Sequence, residues 1–143
     1  MRFFVLLASA ATLLLAEIPK SVLAEHDLEK RSELALKEAD DQITAASKAY
    51  DSASAEQKEF QSHLNTAGEL AQLSIKSLQD SGKRASKSPK YFKRAEMKLR
   101  SLLRRIDSLE KDVSVDDRPP VEKVRILVSE AHEQVLHDIM SKR

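Results

Sequence analysis

A chain of 143 residues with 24 Lys and Arg, 23 Asp and Glu and no cysteine has the length of one domain, and it excludes disulfide-stapled scaffolds, thiol catalysis, c-type haem attachment and cysteine-anchored lipidation. Gly occurs twice and Trp never; Ala, Leu, Lys, Glu, Ser and Arg dominate, a helix-forming composition without strand-type runs. A third of the residues are charged, yet the apolar ones recur too regularly for a disordered chain.

The chain opens MRFFVLLASAATLLLAEIPKSVLAEHD, with Arg2 ahead of fourteen apolar or small residues, 3–16, ended by Glu17. This order of charge, apolar run and small-residue exit predicts a secretory signal peptide. A membrane-crossing helix needs about 20 apolar residues, and this run stops short of that. The preferred cut lies after Ala24, where Val22 and Ala24 supply the small residues and Pro19 discourages helix. The exported chain, periplasmic or extracellular, is then 25–143, a single helical domain.

Four apolar stripes follow. In the first helix, about 26–52, Leu28, Ala35, Ala39, Ile43, Ala46, Ala49, Tyr50 and Ala53 share one face, mostly alanine, which allows close helix approach. The second, about 55–80, collects Phe60, Leu64, Ala67, Leu70, Ala71, Ile75 and Leu78 behind the capping-box spacing SAEQ at 54–57. No Gly or Pro separates the two, so one continuous helix is the alternative. Gly82 ends the second pattern, KRASKSP reads as a mobile loop, and Ser88 with Pro89 reads as an N-cap and first helical residue.

The third helix, about 89–113, carries Phe92, Ala95, Leu99, Leu102, Leu103, Ile106, Leu109 and Val113 on one face and cations on the other. Pro119 and Pro120 break the chain, Asp116 or Asp117 being placed to cap the next element. The fourth helix, about 120–140, has Val121, Val124, Val128, Ala131, Val135, Leu136 and Ile139 inward. The fold expected is all-α, an antiparallel up-and-down bundle of four amphipathic helices, or three if the first two are continuous.

Signatures of chemistry are sparse. The four histidines (His26, His63, His132 and His137) include no Glu-x-x-His pair, so the di-metal bundle reading loses its support. Glu59 with His63 and Glu133 with His137 supply two ligands each where a catalytic zinc needs about three. His63 and His132 lie at or near apolar stripes and would form a site only by meeting across helices. No nucleophile-elbow, Ser-x-x-Lys set or phosphate loop occurs. The expectation is a non-enzyme with no cofactor and no metal.

Charge is the informative feature. Residues 25–80 hold 12 acids and 6 bases, a net of −6; residues 81–105 hold 10 bases and 1 acid, +9; residues 106–143 hold 9 acids and 6 bases, −3. The ten cations are Lys83, Arg84, Lys87, Lys90, Lys93, Arg94, Lys98, Arg100, Arg104 and Arg105. Under a structural reading they pair with flanking acidic helices, each exposed pair contributing about 0–1 kcal/mol. Under a functional reading they form a surface for an anionic partner, with Tyr91 and Phe92 beside it.

Three function classes follow. The first is an exported adaptor or binding module contacting an acidic protein or anionic surface through 81–105. The second is a lipid-surface protein resembling exchangeable apolipoproteins in general style. The third is a metal-carrying protein or an enzyme; a chaperone-like holder, a variant of the first, would need an exposed apolar patch from Leu34, Leu73, Met97 and Ile126. Nucleic acid ranks low for want of a docking motif.

Overall fold

The structure, a computed structural model, describes residues 18–52 and 57–141. These are all-helical: α1 (Lys20–Ala24), α2 (Leu28–Asp51), α3 (Gln57–Asp80), α4 (Pro89–Asp112) and α5 (Arg118–Met140), with one 3-10 turn at Val115–Asp117. The four long helices coincide with the four predicted stripes. Helix α1, in the segment read as leader, is the addition.

Local chemistry sets the boundaries. The Asp27 carboxylate caps α2, accepting from the amides of Glu29 (3.1 Å) and Lys30 (3.3 Å), which satisfies two donors that the first turn leaves open. Helix α2 stops at Ser52, whose backbone is extended, and α3 runs back along it, so the continuous-helix alternative falls. The SAEQ spacing and Ala53 lie outside the described residues. After α3, Gly82 adopts φ +72°, the left-handed turn that glycine allows at low cost. Pro89 opens α4 as expected, but the Ser88 hydroxyl makes no cap. Asp117 likewise precedes α5 without capping it; its carboxylate instead accepts from Tyr50 Oη (3.0 Å) and Ser114 Oγ (2.7 Å).

Residue pairs define the arrangement. Helix α2 runs antiparallel to α3 (Gln42 with His63), and α4 antiparallel to α5 (Glu96 with His132, Asp107 with Arg125). Across these two hairpins the neighbours run the same way. Glu33 meets Arg94 and Asp40 meets Arg105 between α2 and α4. Between α3 and α5, Gln72 donates to the Leu127 carbonyl (2.7 Å), and Gly68 lies where an added Cβ would come within 2.7 Å of Leu127 Cδ1. Direction alternates along the chain as in an up-and-down bundle, but α3 and α4 are diagonal rather than adjacent. The 81–88 connection therefore crosses the end of the bundle. It is folded down upon it, with Ala85 buried and the Lys87 and Ser88 amides both bonded to the Arg84 carbonyl, not the loose loop its composition suggests.

The core matches the stripes with few exceptions. All seven residues named for α3 are buried, as are Val121, Val124, Val128, Ala131 and Val135 of α5 and every named α4 residue except the partly buried Leu103. In α2, Ala35, Ala39, Ile43 and Ala46 are buried, and so is Leu36, which was not named but lies at the edge of the same stripe, seven residues before Ile43. Ile18 and Val22 join the same core from α1 and its approach. No described helix is long and apolar enough to cross a membrane.

Candidate functional site

The ten predicted cations divide into two sets by the helix wheel. Arg94 and Arg105 lie on the flank of α4 that meets α2. Arg94 donates to Glu33 (2.8 Å); Arg105 pairs with the Asp40 carboxylate and donates to the Asp40 carbonyl (3.0 Å) and Thr44 Oγ1 (2.8 Å). From the 81–88 connection, Lys83 pairs with Glu29, whose residue is otherwise buried. That hydrogen bond, with the carboxylate's charge, holds the Lys83 ammonium above its usual range. Arg100 pairs with Glu96 one turn before it. The structural reading thus holds for three cations, which acidic α2 neutralises, while Arg100 is paired within α4.

The other six, Arg84, Lys87, Lys90, Lys93, Lys98 and Arg104, are exposed and make no ion pair with the described residues. Lys90 lies 5.6 Å from the centre of the Tyr91 ring. At 100° per residue, Lys90, Lys93, Met97, Arg100 and Arg104 form a ridge along α4 opposite its buried stripe, because a helix that gives Phe92, Leu99 and Ile106 to the core must turn these outward. Lys111, one turn beyond the quoted block, lies on the same ridge and is exposed; its spacing of seven from Arg104 was the signal for it. Arg84 and Lys87 continue the charge onto the bundle end. Between Lys90 and Arg104 the one acid, Glu96, is turned toward α5, and Asp107, at the edge of the ridge before Lys111, pairs with Arg125.

Glu96 is the electrostatic hinge between the surface and the core. Burial by itself would push its carboxyl up, but hydrogen bonds from His132 Nε2 (2.7 Å) and Arg100 Nε (3.0 Å) outweigh that and hold it below its ordinary 4.5. A carboxylate with a depressed folded pKa stabilises the fold above its unfolded pKa and loses that contribution as pH falls through the folded value. We therefore expect Glu96→Gln to cost roughly 1.5–3 kcal/mol at neutral pH, the range for hydrogen bonds to a charged group. In urea titrations the difference from the unsubstituted protein should be full above pH 4.5 and shrink below it.

Beside the ridge, α2 and α4 line a groove of about 870 Å³. Leu34, Leu36, Ala95 and Met97 supply its apolar lining, with Lys30, Lys37 and Lys98 around them. The two α2 lysines were not predicted, although their spacing of seven, opposite the alanine stripe, places them together. Of the apolar residues off the stripes, Met97 and Ile126 are 62% and 57% exposed, whereas Leu34 and Leu73 are partly buried against the core; the patch a chaperone would need is not assembled from these four.

The histidines do not meet. His63 Nδ1 is bonded to Gln42 on α2 (2.7 Å) and His132 to Glu96 on α4. With α3 and α5 in the register of Gln72 and Leu127, the two lie some fourteen residues apart along the bundle, about 20 Å at 1.5 Å per residue. Among the described residues no three His, Asp or Glu side chains converge as metal ligands. The chain matches no family model, no curated protein and no solved structure.

Proposed function

We propose that this is an exported, non-enzymatic helical binding module that docks on an anionic surface through the outer ridge of α4 and the 81–88 connection. The observation that carries this reading is the set of six exposed cations that make no ion pair with the described residues, in a protein whose net charge is only +1. Charges left over after neighbouring acids are satisfied create a local potential that net neutrality conceals. Anionic lipid head groups suit a cationic ridge with the exposed Met97 in its middle, since basic residues supply attraction and an apolar one shallow contact.

The test is co-sedimentation with vesicles of anionic and of neutral lipid across a salt series. Binding should be confined to anionic vesicles and fade as added salt shortens the screening length from about 10 Å at 0.1 M to about 3 Å at 1 M. Equal retention on neutral vesicles would sink the electrostatic reading. A second reading, uptake of a lipid by the bundle itself, is favoured by the apolar groove between α2 and α4; it requires binding that survives high salt, with a change in helicity when lipid is added.

A further inference from the structure

The segment just before the preferred cut is built into the domain. The Pro19 carbonyl accepts from the amides of Val22 (3.1 Å) and Leu23 (3.4 Å) to start α1, which buries Val22 completely, while Ile18 beside it is 5% exposed. The junction with α2 is held by one guanidinium: Arg31 Nε donates to the Glu25 carbonyl (2.9 Å) and Nη2 to the Leu23 carbonyl (3.1 Å), so Arg31 brackets the Ala24–Glu25 bond. On the far side of that bond, the Glu25 carboxylate accepts from the Asp27 amide (3.2 Å) and Asp27 caps α2. Cutting after Ala24 would delete two core side chains, remove one of the two acceptors of Arg31, and leave a charged ammonium where the chain now turns into the bundle.

We infer that 18–25 stays with the exported domain and that the leader is removed upstream, at the Ala16–Glu17 bond. There Leu14 and Ala16 take the two positions a signal peptidase reads, and the apolar run of 3–16 ends. Val22 and Ala24 fit the peptidase's small-residue preference better, but the same Val22 is a core residue. Two demands therefore compete for one side chain, and a cut eight residues earlier leaves the packing whole. This inference rests on the proposal that the protein is exported.

Expression of the full chain in a secreting host, with the N-terminus of the exported product read by mass spectrometry, tests it. A product beginning at Glu17 is expected. One beginning at Glu25 overturns the inference and leaves export standing, while protein retained in the cell with Met1 in place overturns export and the inference with it. Independently, purified 25–143 should melt below 17–143 by roughly 5 °C or more, the shift that loss of over 1 kcal/mol produces in a domain of this size. Within 17–143, Val22→Ala should lower the midpoint more than Leu23→Ala, since Leu23 is 43% exposed. Equal midpoints for the two truncations would remove the structural basis of the inference.

Discussion

Replacing Lys90, Lys93 and Arg104 together by glutamine is expected to weaken binding to anionic vesicles roughly 100-fold while leaving helicity and unfolding midpoint unchanged. Each basic residue near a negative membrane surface contributes about 1 kcal/mol, and three such contributions correspond to about two decades in affinity. All three are exposed and make no ion pair with the described residues, so the fold loses nothing when they are neutralised. The matched control is the inner pair, Arg94 and Arg105, whose partners on α2 are Glu33 and Asp40. Neutralising Arg94 should affect stability by at most about 1 kcal/mol, as for an exposed pair, and neutralising the part-buried Arg105, which also donates to the Asp40 carbonyl and Thr44, by more; both should alter vesicle binding less than the ridge does. If the inner pair mattered more than the ridge for binding, the contact surface would have to be sought along the groove, where Arg94 and Lys98 stand.

The largest effect on the fold is expected at Phe60. Its ring is buried to 1% exposure and lies 5.0 Å from the Tyr50 ring, tilted by 47°. Tyr50 in turn donates its hydroxyl to Asp117 and accepts from the Ser114 amide (2.8 Å). Phe60 thus backs the contact that joins the end of α2 to the turn between α4 and α5. Phe60→Ala removes a large buried side chain and leaves a cavity, at a cost of about 3–5 kcal/mol, against a total stability of about 5–15 kcal/mol for a domain. The urea midpoint should fall accordingly, and Phe60→Leu should recover much of the loss because it refills most of the volume. A change below about 1 kcal/mol for the alanine variant would mean that this end of the bundle is not packed as described.

Much of this architecture was legible in the residues. The period of Phe60, Leu64, Ala67, Leu70, Ala71, Ile75 and Leu78 marks a buried face without reference to any other helix, and Gly82 closing α3, Pro89 opening α4 and the paired prolines in the first turn of α5 act through their own backbone geometry. The same local rule placed Lys90, Lys93 and Arg104 outward, because a face opposite an apolar stripe is turned to water whatever covers the stripe. Leu36 and Ala85 were missed. Leu36, seven residues before Ile43, lies at the edge of its helix's stripe and its spacing was the signal for it, whereas Ala85 sits in a polar connection that no periodicity describes.

What belonged to the sequence alone, then, was the inner face of each apolar stripe and the outward turn of the cations opposite one of them, all properties of one segment at a time; whether the first two stripes made one helix or two was decided by the structure, where α2 stops at Ser52. Which helix lies beside which was decided only in three dimensions. Parallel seating of α2 on α4 is what brings Glu33 and Asp40 to Arg94 and Arg105, whereas Arg100 finds Glu96 within its own helix. The place of Ile18 and Val22 was decided in the same way: read along the chain they are the tail of a leader, and they become core only because the assembled bundle has room for them. Periodicity reports that a face is apolar, whereas its partner is chosen by the shape and charge of every other element at once.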